Sequence, residues 1–296
     1  MTPTTVQLDL RALPSLPRAY VRGLFARKSG GAPARDTPVI EARLPGLRLD
    51  PARVRAYAEV IGSPASDVAP LLYPQVLAMA IHAEMILSPA FPFSPLGLVH
   101  RRSTVSSRRP LALDASVDFV CRLAGRREVE HGLELDLDTT VIERGDAVWE
   151  ATATVLMRKG RPTAKKPRLA AVHGPAAVET GVRLATWELR GDTGRRYAAV
   201  SGDYNPIHLW AWSARLLGFR RPIAHGLYTL ARALNEARPE LPVGPVRIEA
   251  AFKRPLLLPA TVVAGIKSQH GSVELSVRDA KSGEPHLMAQ VKGVNG

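Results

Sequence analysis

The stretch Tyr197-Ala-Ala-Val-Ser-Gly-Asp-Tyr-Asn-Pro-Ile-His208 places three polar side chains close together in the chain. They are the carboxylate of Asp203, the amide of Asn205 and the imidazole of His208. A glycine directly before the aspartate frees the backbone, and the proline that follows the asparagine fixes a φ angle. Because these residue types favour turns, the stretch predicts a tight bend. Such a bend directs the three polar groups toward one place.

A second feature lies downstream, where an apolar segment predicts a helix that begins at His225-Gly226. The first N–H groups of a helix have no partner within the helix, and they attract negative charge. The sequence therefore predicts backbone donors for an anionic oxygen close to the acid and base groups of the bend. His225 is expected to brace the start of this helix and is not assigned to the chemistry.

The bend and the residues after it resemble the hydratase-2 signature of the MaoC-like (R)-specific enoyl-CoA hydratases. That signature asks for an aromatic residue, an apolar residue, Ser-Gly-Asp-x-Asn-Pro, an aliphatic residue, a histidine, five further residues and a small one. The complying positions are Tyr197, Val200, Ser201, Gly202, Asp203, Asn205, Pro206, Ile207, His208 and Ala214. The resemblance implies a hot-dog fold, in which an antiparallel sheet wraps a long helix, and a thioester of coenzyme A as substrate.

The resemblance also implies a role for each matched polar residue. Asp203 and His208 hold the water as acid and base, and Asn205 binds the water or orients its neighbours. The backbone N–H of Gly226 binds the thioester oxygen. Ser201 either lines the substrate pocket or is a hydrogen-bonded spacer in the turn.

Arginines near these motifs suggest where the phosphates of coenzyme A bind. Arg220 and Arg221 precede the second helix, and Arg254 lies in an Arg-Pro-Leu corner. Guanidinium groups suit phosphate, although a solvated basic rim is the alternative for each of them. No metal site and no redox cofactor are expected, because the remaining histidines have no companion at metal-ligand spacing. Coenzyme A enters only as part of the substrate.

The chain repeats itself, which predicts two related domains. The segment from Tyr57 to Ser63 aligns with that from Tyr197 to Asp203, and a later Arg-Pro-Leu also recurs, at offsets of about 140 to 148 residues. In each half a helix is followed by segments of alternating polarity, which favours an α+β tandem hot-dog on one continuous sheet. The predicted units are an N-terminal arm (1–45), a degenerate hot-dog (46–158), a linker (159–178) and a catalytic hot-dog (179–296).

The first repeat has lost the residues of the signature. Ser63 stands in place of the aspartate, no histidine follows at the required spacing, and Leu77-Ala78 replaces the His-Gly pair. The helix that begins near Pro74 is rich in small and flexible residues, so it either accommodates the acyl chain of the substrate or packs under the sheet. We expect one working site, in the second half.

Composition restricts the class of protein. The 296 residues are 46% hydrophobic and 23% charged, which is typical of a globular protein with an ample core. The single cysteine, Cys121, indicates a reducing compartment, and no segment predicts a membrane span or leader, so a cytoplasmic location is expected. The net charge of +13 attracts anions, but no nucleic-acid-binding motif accompanies it. A homodimer is left open.

These patterns together predict a hydro-lyase that reversibly hydrates (2E)-enoyl-CoA to (R)-3-hydroxyacyl-CoA. Two alternatives stay open at this point. One is a dehydratase of an unusual acyl-CoA or of an acyl-carrier-protein thioester. The other is a non-catalytic protein that binds acyl thioesters, which the degenerate first half makes conceivable.

Overall fold

The structure, a computed structural model, describes residues 5–25, 38–93, 98–130, 132–158 and 182–294. The predicted linker at 159–178 lies outside the described residues. The first half contains β1 (Thr5–Asp9), α1 (Leu16–Phe25), β2 (Val39–Arg48), α2 (Pro51–Val60), α3 (Tyr73–Leu87), β3 (Leu98–Ser107), β4 (Ser116–Val129), β5 (Gly132–Glu143) and β6 (Asp146–Arg158). The second half contains β7 (Val182–Leu189), α4 (Thr193–Ser201), α5 (Ala211–Leu216), α6 (Gly226–Glu236), β8 (Val246–Phe252), β9 (Ala260–Gln269), β10 (Ser272–Asp279) and β11 (Pro285–Gly293).

The strands form one sheet of 11 strands in the order β1-β2-β4-β5-β6-β3-β8-β11-β10-β9-β7. All neighbouring strands are antiparallel except β1 and β2. The two halves join where β3 pairs with β8, from Arg102 opposite Ala251 to Ser107 opposite Val246. The predicted continuous sheet is therefore confirmed, and so is the tandem hot-dog fold.

Alternating polarity determines which face of each strand is buried. On β5 the side chains of Leu133, Leu135, Leu137 and Val141 are buried, as the period of two predicts. They belong to a continuous apolar core that also includes α3. Within α3, Ala78 is fully buried. The accommodation of an acyl chain by this helix stays a prediction.

The two repeats contact each other through equivalent residues. The rings of Tyr57 on α2 and Tyr197 on α4, which align in the sequence repeat, lie 6.0 Å apart. The side-chain amide of Asn235 donates to the carbonyl of Ile61 at 3.1 Å. Contact between equivalent positions is what a two-fold relation between the halves produces. The duplicated chain thus folds back on itself as a pair.

The N-terminal segment is more than the surface arm that its composition indicated. Strand β2 crosses the boundary drawn at residue 45 and pairs with β4 from Ile40 to Arg48, so the sheet of the first half begins earlier. Its residues Val39-Ile-Glu-Ala-Arg-Leu alternate, but the Pro, Arg and Gly residues around them hid the pattern. Helix α1 lies within the segment predicted as an N-terminal arm and packs against α3. No helix among the described residues is long and apolar enough to span a membrane.

Candidate active site

The turn that carries Asp203 is fixed by hydrogen bonds within it. Helix α4 ends at Ser201, and the next residue, Gly202, has a φ of 75° in the left-handed region that favours glycine. The hydroxyl of Ser201 donates to the carbonyl of Tyr197 at 2.8 Å and accepts from the N–H of Asp203 at 3.2 Å. These contacts favour the spacer interpretation of Ser201 over the pocket-lining one, since its hydroxyl is used within the turn.

A short 3-10 helix, Pro206–His208, brings the histidine back toward the aspartate. Its first N–H groups are capped by Asn205, whose side-chain oxygen accepts from the N–H of Ile207 at 3.4 Å. The hydroxyl of Ser213 supports the same turn by donating to the carbonyl of Pro206 at 2.7 Å. In this structure Asn205 therefore shapes the bend, and its contact with water stays a prediction.

The fold gathers three titratable side chains into one buried cluster. Asp203, His208 and His225 are each less than a tenth exposed, and one ligand atom from each lies within 4.8 Å of the others. The two imidazole rings stack, with centroids 3.6 Å apart. His225 precedes α6 but makes no side-chain cap there; it contacts the turn that carries Asp203 instead. The expected bracing by His225 thus acts on the turn and not on the helix start.

Carbonyl partners identify the protonated nitrogen of each imidazole. Nδ1 of His208 lies 2.7 Å from the carbonyl oxygen of Ile223, and Nε2 of His225 lies 3.0 Å from that of Asp203. A carbonyl oxygen only accepts, so each of these nitrogens must carry the proton. Nε2 of His208 and Nδ1 of His225 are therefore the lone-pair nitrogens. The Nδ1 atom of His225 is buried and has no hydrogen-bond partner among the described residues.

The carboxylate of Asp203 receives its hydrogen bonds on one oxygen. Oδ1 accepts from the hydroxyl of Tyr20 at 2.5 Å and from the N–H of Asn205 at 3.3 Å. Oδ2 lies 3.7 Å from Nε2 of His225. Burial alone would raise the pKa of Asp203, but the nearby imidazoles and these two donors hold that pKa below its ordinary value. The aspartate is therefore ionised at neutral pH.

Both histidines of the cluster are neutral at neutral pH. Burial lowers the pKa of His208 below its ordinary value, against the opposing influence of Asp203 and of the bond to the Ile223 carbonyl. Burial also lowers the pKa of His225 to about 3. An ionised carboxylate beside a neutral imidazole with a free Nε2 is an arrangement that can accept a proton from water.

These pKa directions predict how activity depends on pH. We expect Asp203 to act as a carboxylate and His208 as a neutral imidazole, and both pKa values are shifted downward. Protonation of either group therefore inactivates the site only in acid, and the acidic limb of kcat/KM should lie below pH 6.5, the ordinary pKa of histidine. Initial rates from about pH 4 to about pH 9 measure this profile. A limb at or above pH 6.5 would contradict the arrangement of charges.

Gly226 is the first residue of α6, beside the cluster. A Cβ atom at this position would lie 2.9 Å from two ring carbons of Phe252, so the site has no room for a side chain there. The backbone therefore lies close to the surrounding protein at the helix N-terminus, where N–H groups are available to an anionic oxygen. The binding of a thioester oxygen by Gly226 stays a prediction.

Among the described residues, no hydrogen bond or ion pair joins the three arginines assigned to the nucleotide end to the cluster. Arg221 lines an open cleft of about 520 Å³, together with Arg190 and Lys281. Arg220 is exposed near the turn after α5. The guanidinium of Arg254 makes an ion pair with Glu284, which reduces its availability for a phosphate. Phosphate binding by these arginines stays a prediction.

The same three buried side chains have the composition of a metal site. Two imidazole nitrogens and a carboxylate within 4.8 Å could hold one divalent cation. The sequence analysis had placed Asp203 and His208 together, but it had not counted His225 as a third ligand beside them. The geometry serves proton transfer equally well, because among the described residues no hydrogen-bond donor occupies Nε2 of His208 or Oδ2 of Asp203.

Sequence reasoning found part of the site. Asp203, His208 and Gly226 are brought together as the motifs predicted. Tyr20 was missed because no sequence signal connects it to a residue 183 positions away. His225 lay next to a predicted residue, but its stacking on the second histidine depends on how α6 packs. His100 of the first half was also missed; it lies within electrostatic range of the aspartate, with its ring 4.7 Å from that of Phe252.

Comparison with known proteins adds independent findings. Residues 175–282 match the model of the MaoC-like domain family. The chain is 35% identical over 256 residues to the 3-hydroxyacyl-thioester dehydratase X of Mycobacterium tuberculosis, covering 84% of this chain and 87% of that protein. It is 30% identical over 157 residues to the peroxisomal enoyl-CoA hydratase 2 of Arabidopsis thaliana, covering 50% of this chain and 51% of that protein.

A solved structure is similar over nearly the same length. The crystal structure of HtdX from Mycobacterium tuberculosis has a TM-score of 0.73 and 32% identity to this chain. The similarity covers 86% of this chain and all of that one. Similarity in sequence and in structure therefore extends across both halves, and not only across the half that carries the signature.

Proposed function

The chain belongs to the MaoC-like dehydratase family, and from this premise we propose that it reversibly hydrates (2E)-enoyl-CoA to (R)-3-hydroxyacyl-CoA at the Asp203–His208 site. It is a hydro-lyase that acts on acyl thioesters. One observation carries the assignment of the site: an ionised carboxylate and a neutral imidazole share a buried cluster beside the N-terminus of α6.

In the proposed reaction, water is held between Oδ2 of Asp203 and Nε2 of His208. One of these two atoms takes a proton from the water as its oxygen attacks Cβ, and the same proton is then delivered to Cα, so that both side chains return to their starting states. The negative charge that develops on the thioester oxygen is stabilised by the N–H of Gly226. A donor aimed at such an oxygen typically contributes about 3 kcal/mol to the transition state. No atom of the reaction needs a metal or a redox group.

Dehydration is the same reaction in reverse, and one comparison favours it as the physiological direction. The relative that aligns along most of its length is named a 3-hydroxyacyl-thioester dehydratase. The same two side chains then protonate the leaving hydroxyl and remove the proton from Cα. An acyl-carrier-protein thioester in place of the coenzyme A ester is compatible with this chemistry.

The proposed function is tested by spectrophotometric hydration of crotonyl-CoA and of a longer enoyl-CoA, with chiral analysis of the product. The reverse reaction is followed with (R)- and (S)-3-hydroxyacyl-CoA, and both directions are repeated after treatment with EDTA. We expect turnover of the (R) product in each direction and no loss of rate with EDTA. Formation of the (S) product, absence of turnover, or loss of rate that zinc restores would contradict the proposal.

We further propose that the phosphates of coenzyme A bind at the cleft lined by Arg221. Replacing Arg221 by Ala should raise KM for crotonyl-CoA by about fivefold, because an exposed ion pair contributes up to about 1 kcal/mol. Here kcat should be unchanged, since this contact is remote from the reacting bond. Added salt should raise KM for the parent protein in the same way.

The matched control for Arg221 is Arg247→Ala. Arg247 lies on β8, and its guanidinium pairs with Glu249 at 3.0 Å. This variant loses the same charge from the surface but should leave KM unchanged. An equal rise in KM for both variants would mean that net charge alone, and not the cleft, is responsible.

A further inference from the structure

Helix α1 brings a tyrosine from the N-terminal segment to the catalytic aspartate. The hydroxyl of Tyr20 lies 2.5 Å from Oδ1 of Asp203, across 183 residues of sequence. An ionised carboxylate only accepts hydrogen bonds, so the tyrosine is the donor. Hydrogen bonds to an ionised group are short and roughly twice as strong as those between neutral groups.

Contacts with both halves of the molecule hold α1 in this position. On the catalytic side, Leu16 and Pro17 approach Gly202 to within 3.8 and 4.0 Å of the place where a Cβ atom would lie. On the other side, a guanidinium nitrogen of Arg22 donates to both carboxylate oxygens of Glu84 on α3, at 2.7 and 2.9 Å. Helix α1 therefore connects the degenerate half to the catalytic turn, with the tyrosine between these two contacts.

The donors around Asp203 are distributed unequally. Tyr20 and the N–H of Asn205 both contact Oδ1, whereas among the described residues the polar atom nearest to Oδ2 is the ring nitrogen Nε2 of His225, at 3.7 Å. A carboxylate held by two donors on one oxygen cannot rotate freely about its last bond. The second oxygen is thereby kept available.

We propose that Tyr20 is a positioning residue, which fixes the carboxylate of Asp203 through Oδ1 and so leaves Oδ2 for the reacting water. The inference rests on the proposed function and extends it to a segment outside both repeats. The tyrosine acts through the aspartate and does not itself exchange a proton in the reaction, because burial and the adjacent carboxylate raise its pKa far above the ordinary value.

The groups that face Asp203 from each neighbouring element set its ionisation. They are Tyr20 on α1, His100 on β3, Tyr197 on α4, Asn205 and His208 in the bend, and His225 before α6. Among them, the phenol of Tyr20 is the one side chain whose hydrogen bond to the carboxylate lowers the pKa of Asp203. Loss of that hydroxyl should therefore move the acidic limb of the rate profile to higher pH.

The test compares Tyr20→Phe with the parent protein and with Tyr73→Phe. Tyr73 is a buried tyrosine of α3 whose ring packs against that of Tyr57, so its variant removes a hydroxyl from the same half. We expect Tyr20→Phe to lower kcat about tenfold, with KM unchanged and the acidic limb moved to higher pH. The Tyr73→Phe protein should match the parent in all three quantities.

Three results would overturn the inference. A kcat for Tyr20→Phe equal to that of the parent, with the same acidic limb, would mean that the hydroxyl does not position the carboxylate. A higher kcat would mean that Tyr20 instead obstructs the place of the reacting water and that α1 is a cover. Equal losses of kcat in Tyr20→Phe and Tyr73→Phe would mean that the effect comes from general packing and not from positioning of the carboxylate.

A measurement without substrate separates this inference from the proposed function. The carboxyl carbon of Asp203 is titrated by NMR in the parent protein and in Tyr20→Phe, and the signal is assigned by its loss in Asp203→Asn. The inference expects a higher pKa of Asp203 in the phenylalanine variant, and an unchanged pKa would overturn it. If no thioester is turned over but the pKa rises, the proposed function fails while the contact stands.

Discussion

Replacing Asp203 by Asn should lower kcat/KM for hydration of crotonyl-CoA about a thousandfold, within the range that a general base contributes. Asparagine retains the shape of the side chain and an oxygen that can accept from Tyr20, but it cannot take a proton from water. His208→Ala removes the second proton-accepting atom and should have an effect of similar size. Initial rates at neutral pH measure both losses.

Asp192→Asn is the matched control for the aspartate. Asp192 lies at the start of α4, where its side chain makes no cap and pairs with the exposed Arg190. The same change of charge there should leave kcat/KM unaltered. Circular dichroism and thermal unfolding establish that the site variants are folded. Turnover near the parent value in both Asp203→Asn and His208→Ala would remove the proton-transfer assignment.

Gly226→Ala should lower kcat about a hundredfold, since a displacement of about 1 Å at a catalytic group can cost that much. The added Cβ would meet the ring of Phe252 at 2.9 Å, so either the ring or the start of α6 must move. Movement of the helix start would carry its N–H donors away from the thioester oxygen. Steady-state kinetics on crotonyl-CoA measure the loss.

A second substitution distinguishes this steric cause from other effects of the alanine. Phe252→Ala removes the ring that the new Cβ would contact, so the double variant should recover a large part of the kcat that Gly226→Ala loses. The single variant Phe252→Ala measures how much the ring itself contributes to kcat. If the fold-loss of kcat in the double variant equals the product of the fold-losses in the two single variants, the contact between these residues is not the cause.

The sequence predicted those parts of the fold and site that depend on local patterns. The turn residues around Asp203 predict a bend, and the alternation on β5 predicts a buried face. Both predictions depend only on residues that are close together in the sequence. The repeat between Tyr57 and Tyr197 predicted a pair of domains, and the two rings indeed pack together. Local patterns, the internal repeat and the family resemblance were therefore together sufficient for the fold class and for the acid and base candidates.

Features that depend on contacts between segments far apart in the sequence were not predictable in this way. Tyr20 is one tyrosine in a basic, proline-containing segment, and only the packing of α1 across both halves brings it to the carboxylate. Ser201 matched a signature position, but the structure uses its hydroxyl inside the turn. Strand β2 was concealed because the residues that flank it dominate the local composition.

The pairing of β3 with β8 also affects how the working site depends on protein concentration. Two separate hot-dog chains would associate by mass action, and dilution would dissociate them. Here both partners belong to one polypeptide, so their association is intramolecular and its effective concentration is set by the connection between them. The contacts that α1 makes with the turn carrying Asp203, and the pairing of β3 with β8, thus persist however dilute the protein becomes.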